Sequence, residues 1–241
     1  MKIKTGHYIT ILGMLLALFT TFLVFVVAPH APPNFRAVFY MGGMLVYGWC
    51  FGFGAFSRLM RDRVRAYVLA IPLEWKLKFV LFTTLLALLE EVVTVTATNM
   101  APVFGVPVGA AYVTASANYF DVVLLHSVVV FVPGYIVWAW LLGKYDFSPN
   151  AVFLLYGLSG TLAEMTFGGF QHYTEYPMWT FVYGLMMYLP AYCLPADRGA
   201  RKPGLGAYLL TQIIPGVAAG PVAAIIMHFH PVKIHFPPIK A

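Results

Sequence analysis

Charged residues are scarce in this sequence. They make up 10% of the 241 residues, whereas soluble domains contain about 25%. This shortage excludes an ordinary water-soluble domain, a disordered chain and a charged coiled coil. Cysteine is rarer still: only Cys50 and Cys193 are present, which excludes a disulfide-stabilised scaffold. Because 61% of the residues are hydrophobic, the composition predicts a helical integral membrane protein.

Seven apolar stretches are each long enough to cross a bilayer, which takes about 17–25 residues. They are predicted near Tyr8–Val27, Ala37–Phe56, Lys78–Thr98, Tyr119–Leu142, Ala151–Gly168, Met178–Leu194 and Tyr208–Phe229. The stretches are apolar on all sides rather than alternating, which excludes transmembrane β-strands. We therefore expect an all-α integral membrane protein, with residues 1–241 forming a single polytopic bundle of about seven transmembrane helices.

The lysines and arginines predict the orientation, because cytoplasmic loops carry an excess of both. With seven spans, twelve of these residues fall on one side: Lys2, Lys4, Arg58, Arg61, Arg63, Arg65, Lys76, Lys78, Lys144, Arg198, Arg201 and Lys202. Three fall on the other side: Arg36, Lys233 and Lys240. We therefore expect a cytoplasmic amino terminus, an external carboxyl terminus and a location in the cell membrane.

Small residues and prolines predict how the helices pack. Glycines at four-residue spacing let helices approach closely in lipid. We expect such packing faces at Gly48, Gly52, Gly157, Gly160, Gly168, Gly216 and Gly220. Pro133, Pro215 and Pro221 predict kinks, because proline lacks the backbone N–H of a helical hydrogen bond. Between spans, Tyr67–Glu74 is expected at the membrane interface and Ala101–Ala117 as an ordered loop against the bundle.

A few ionisable residues lie within the predicted spans, where charge is costly and usually functional. Counting 1.5 Å per residue, Glu90, Glu91, His126 and Glu164 fall at one depth in the outer half of the bilayer. His172 follows on the short outer loop and is expected to cover this layer. The sequence therefore predicts one polar site contributed by three helices.

Four interpretations of this site remain open. Glu91, His126, Glu164 and His172 offer oxygen and imidazole ligands that suit iron, manganese or zinc, although the sequence has no short metal motif such as His-Glu-x-x-His. Glu90, Glu91, His126 and Glu164 also form a catalytic acid–base set. The same groups suit a proton or cation relay. Finally, a glutamate could pair with His126 only to neutralise its own charge.

The glutamate pair, with His126 and His172 downstream, is similar to the motif of the CAAX-protease family of membrane enzymes. The sequence departs from that motif: Val92 and Val93 follow the pair where the family has arginine, and Tyr176 stands four residues after His172 where the family has asparagine. We therefore assign no family on this resemblance.

The expected function is that of a membrane enzyme or redox subunit that acts on a lipid or other apolar substrate. The polar groups collect at one depth, whereas a carrier needs them through both leaflets and often has inverted repeats. A carrier of protons or small solutes and a non-catalytic subunit of a larger complex stay as alternatives. The expected partners are membrane lipids and further copies or membrane subunits. No segment offers a basic surface for nucleic acid.

Overall fold

A computed structural model of the chain describes residues 5–229 together with Phe236 and Ile239. The predicted positions Lys2, Lys4, Lys233 and Lys240 lie outside the described residues. The described part is all-helical and contains no β-strand. Its α-helices are α1 (Thr5–Phe22), α2 (Pro33–Met44), α3 (Gly54–Ala70), α4 (Trp75–Asn99), α5 (Tyr119–Leu125), α6 (Val128–Lys144), α7 (Pro149–Phe167), α8 (Tyr176–Tyr192) and α9 (Leu205–Phe229).

The second predicted span is part of a much longer helix. A π-helical segment, Leu45–Phe53, joins α2 to α3, so that Pro33–Ala70 runs as one helix of 38 residues. This helix is about 57 Å long at 1.5 Å per residue, against about 30 Å of bilayer hydrocarbon. The predicted interfacial segment therefore begins as helix, and the chain turns at Ile71, whose ψ is 128°. Ile71 is extended because a residue before proline avoids the helical region.

By length and composition, four helices can cross a membrane. They are Thr5–His30, Pro33–Ala70, Trp75–Asn99 and Leu205–Phe229, and the bent pair α5 and α6 makes a fifth if it counts as one span. At the fifth and sixth predicted spans the structure has α7 with 19 residues and α8 with 17. The apolar helices indicate a membrane-embedded protein, with four to five such spans among the described residues.

The fourth predicted span is broken rather than continuous. Its halves, α5 and α6, meet at an angle of 45°. The break falls at His126 and Ser127, six to seven residues before the predicted kink at Pro133. Both the backbone N–H and the hydroxyl of Ser127 donate to the Val122 carbonyl, at 2.9 and 3.2 Å. These bonds reach back five residues, so they replace the regular helical bond and open the turn.

Helix α8 forms the centre of the bundle. All twelve residues from Thr180 to Ala191 are buried, and α7 packs most closely against them. This approach depends on glycine: a Cβ on Gly157 would lie 2.7 Å from the Thr180 Cα, and one on Gly184 would lie 2.7 Å from the Phe153 carbonyl oxygen. The predicted packing role of Gly157 is therefore confirmed.

Other predicted glycine faces have no packing partner among the described residues. An added Cβ on Gly48, Gly216 or Gly220 would meet no atom within 4 Å outside its own helix. For these glycines the prediction of a packing face within the bundle is wrong. Four-residue spacing clears a helix surface, but it does not decide whether another helix of the same chain occupies it.

The segment after α4 is the ordered loop that the sequence predicts. It starts with a 3₁₀ turn, Ala101–Phe104. Ala101, Val106 and Ala111 are buried against Ala37 and Met41 of α2. The loop therefore covers the end of α4, close to the predicted polar layer.

Candidate functional site

Two adjacent carboxylates lie inside the bundle on α4. Glu90 is 5% exposed and Glu91 is 6% exposed. Among the described residues no basic group and no hydroxyl pairs with the Glu90 side chain, whose charged neighbours are Glu91 and Glu164. A buried charge without a compensating partner is expensive. The position of Glu90 is therefore unusual for a purely structural residue.

Hydroxyl groups surround the neighbouring carboxylate, Glu91. Thr94, one turn further along α4, donates to Glu91 Oε2 at 2.9 Å. The hydroxyls of Ser127 and Thr114 also interact with this carboxylate. Ser127 lies in the break between α5 and α6, and Thr114 lies in the loop after α4. The broken helix and the ordered loop thus both serve to solvate Glu91.

The third carboxylate, Glu164, reaches the same region from α7. It is half-buried and accepts a hydrogen bond of 2.5 Å from the Tyr183 hydroxyl of the central helix. Glu164 and Tyr183 both lie within electrostatic range of Glu90 and Glu91. We call Glu90, Glu91 and Glu164 the carboxylate cluster. It joins α4 to α7 around α8.

Tyrosines extend the polar interior beyond the carboxylate cluster. Tyr135 of α6 interacts electrostatically with Glu90, Glu91 and Tyr156 of α7, and its hydroxyl donates to the Met186 sulfur at 3.8 Å. The Tyr135 and Tyr156 rings are 5.8 Å apart. The sequence did not predict a tyrosine at the site, because aromatic residues in an apolar span resemble packing residues. The three tyrosines concerned are Tyr135, Tyr156 and Tyr183. The signal was present, however, since a buried tyrosine hydroxyl needs a hydrogen-bond partner.

His172 lies just beyond the end of α7 and interacts electrostatically with Glu164. Its Nδ1 is 2.7 Å from Glu175 Oε2, and the same oxygen accepts a bond of 2.9 Å from the Trp179 indole N–H. Glu175 therefore holds the imidazole beside the start of α8.

His126 and the proposed metal set require a correction. His126 ends α5 at the break, where its side chain is exposed rather than buried. No group of three or more His, Cys, Asp or Glu side chains in residues 5–229 is arranged to hold a metal ion. The structure therefore does not support a site made of Glu91, His126, Glu164 and His172. In the structure Glu164 accepts a hydrogen bond from Tyr183, and His172 contacts Glu175 instead.

Removal of the hydrogen bond between Tyr183 and Glu164 should measurably lower the stability of the protein. We expect Tyr183→Phe to lower the free energy of unfolding by about 1.5 kcal/mol, because a hydrogen bond to a charged group is lost. The matched variant is Tyr188→Phe on the same helix, whose hydroxyl is 3.5 Å from Arg61 Nη1. We expect a smaller loss there, because that contact is long. Unfolding in detergent measures the stability of both variants. Equal losses of stability would contradict a special contribution of the bond between Tyr183 and Glu164.

Comparisons with protein-family models, with curated proteins and with solved structures found no match to this chain.

Proposed function

We propose that this chain is a cell-membrane enzyme of seven spans whose carboxylate cluster performs acid–base chemistry on a lipid or other apolar substrate. In this proposal the amino terminus is cytoplasmic, and the cluster lies in the outer half of the bilayer. The observation that carries it is a pair of buried carboxylates, Glu90 and Glu91, within electrostatic range of Glu164, whose own carboxylate accepts the Tyr183 hydroxyl inside an apolar bundle. The twelve-to-three distribution of basic residues supports the orientation.

The chemistry follows from the different surroundings of the carboxylates. Glu91 accepts the Thr94 hydroxyl, and hydrogen bonds to a carboxylate favour its charged form. Glu90 has like charges as neighbours, and carboxylates that share a site favour keeping a proton on one of them. Paired acids in unlike environments suit the division between a general base and a general acid. We assign Glu91 as the base, Glu90 as the acid, and Tyr183 with Glu164 as the hydrogen-bonding support.

The position of the cluster supports a substrate that enters from one end of the bundle. Glu164 lies three residues before the end of α7, and Glu90 lies nine residues before the end of α4. His172 and the loop containing Thr114 lie beyond these same ends. In this proposal a lipid chain reaches the cluster from that end of the bundle.

The decisive variant is Glu91→Gln, which removes the base and keeps the shape. The chain is expressed in cells, and their apolar extract is compared by mass spectrometry with that of cells carrying the empty vector. We expect at least one lipid product that depends on the wild-type chain and disappears with Glu91→Gln. The matched control is Glu74→Gln at the exposed start of the same helix, which should retain the product. If the wild-type chain leaves the extract unchanged, the proposal that it is an enzyme is contradicted.

A proton-coupled carrier is the second candidate, and the break between α5 and α6 favours it. Discontinuous helices build the substrate sites of many transporters, and here Ser127 in the break interacts with Glu91. Vesicles containing the purified chain and a pH-sensitive dye distinguish the two functions. A carrier gives a proton flux that Glu91→Gln abolishes, whereas the enzyme gives none.

A further inference from the structure

A polar cleft lies at the other end of the bundle from the carboxylate cluster. Its volume is about 470 Å³. The end of α3, the link between α6 and α7, and the end of α8 with the loop that follows it all contribute to its walls. The lining residues are Arg65, Asp146, Phe147, Ser148, Pro149, Ala191, Tyr192, Leu194, Ala196 and Arg198.

One arginine on this cleft has an uncompensated charge. Arg198 is ion-paired with Asp146 and donates to the carbonyls of Leu142 and Pro195, at 2.9 and 3.0 Å, so its side chain is fixed and only 7% exposed. Arg65 is half-buried and forms no ion pair within the part of the chain that the structure describes. The lining therefore carries a net positive charge that comes from Arg65.

The charges next to Tyr192, on the α3 side of the cleft, offset each other. The Tyr192 hydroxyl donates to Asp62 at 2.6 Å, and Arg61 lies 5.0 Å from the centre of the Tyr192 ring. Arg61 and Asp62 are themselves 4.0 Å apart and offset each other. Exposed Arg58 and Arg63 on the same helix add positive potential around the opening.

We propose that this cleft binds a phosphate group, held by Arg65 with Arg198 as a fixed neighbour, and that the phosphate belongs to an anionic phospholipid. Arginine suits phosphate because its planar fork donates two parallel hydrogen bonds. The apolar side of the cleft, with Phe147, Ala191 and Leu194, gives an acyl chain a place to lie. Free phosphate has the same charged group as the lipid headgroup, but it has no apolar part to contact these walls.

Native mass spectrometry of the purified full chain in detergent tests this proposal, with phosphatidylglycerol and phosphatidylcholine of the same acyl chains as probes. We expect the wild-type chain to retain phosphatidylglycerol in preference to phosphatidylcholine. Arg65→Gln should weaken phosphatidylglycerol binding about fivefold, which corresponds to about 1 kcal/mol for one basic residue near anionic lipid. Arg63→Gln, an exposed position on the same helix that does not line the cleft, should weaken the binding clearly less than Arg65→Gln.

A conservative variant and a competition with inorganic phosphate complete the test. Arg65→Lys keeps the charge but not the fork, so it should lose part of the binding, and it carries the test if Arg65→Gln does not fold. In the second arm inorganic phosphate is added alone. If inorganic phosphate fails to displace phosphatidylglycerol, the proposal holds. If phosphate displaces the lipid at low concentration, free phosphate is the ligand and the lipid assignment is overturned. Equal retention of the two lipids, or equal losses in Arg63→Gln and Arg65→Gln, overturns the phosphate site itself.

Discussion

Gly157→Ala is expected to destabilise the protein by about 3 kcal/mol, near the upper end of the usual cost of overpacking. The new Cβ would lie 2.7 Å from both the Cα and the carbonyl oxygen of Thr180. Backbone atoms cannot rotate away as a side chain can, so α7 and α8 have to separate. Because Glu164 and Tyr183 lie on these two helices, the change should also lengthen their hydrogen bond.

The control is Gly216→Ala on α9, where the added Cβ meets nothing within 4 Å. We expect no loss of stability there, because alanine favours a helix over glycine. Denaturant unfolding in detergent, followed by circular dichroism, measures both variants. A loss for Gly216→Ala as large as that for Gly157→Ala would mean that exposed glycine faces also carry the fold, for instance in an oligomer.

Glu90→Met is expected to stabilise the protein by about 1–3 kcal/mol, the usual cost of a buried polar group that has no hydrogen-bond partner. Glu90 is buried, and its charged neighbours are Glu91 and Glu164. Methionine fills a similar volume and removes the cost of desolvating the carboxyl group. The gain in stability should come with loss of the lipid product, which is the usual relation between stability and function at an active site.

Leu89→Met is the matched control for this change. Leu89 precedes Glu90 on α4 and is 44% exposed, so its replacement should alter stability by less than about 0.5 kcal/mol. Thermal unfolding of the two variants in the same detergent makes the comparison. If Glu90→Met unfolds more easily than the wild type, the cluster holds the fold together and the acid–base assignment is contradicted.

The helices could be predicted from the sequence because each apolar run is long and has clear ends. The predicted span Lys78–Thr98 lies within α4, and Tyr208–Phe229 lies within α9. The continuation of the second span through Arg58–Arg65 could not be predicted, because a hydropathy argument ends a helix where charges begin. Arginine is itself a good helix former, and the first strong stop signal is Pro72.

The candidate site was predicted in part. A count of 1.5 Å per residue predicts Glu90, Glu91 and Glu164 at one depth, and the structure has all three within electrostatic range of one another. His126 is exposed at the bend between α5 and α6, and a count along one straight helix does not include such a bend. The sequence also could not predict the hydrogen bond of Tyr183 to Glu164, because this bond depends on the close approach of α7 and α8 that Gly157 permits.

The enclosure of α8 bears on how the protein responds to bilayer thickness. At 17 residues α8 is about 25 Å long, shorter than a typical hydrocarbon core of about 30 Å. Because its neighbours shield it, this shortfall creates little hydrophobic mismatch with the lipid. Helices α1 and α9 are the least enclosed of the candidate spans, so they take up the tilt that a thicker or thinner membrane demands. The carboxylate cluster, whose members α8 brings together, should therefore keep its geometry across membranes of different thickness.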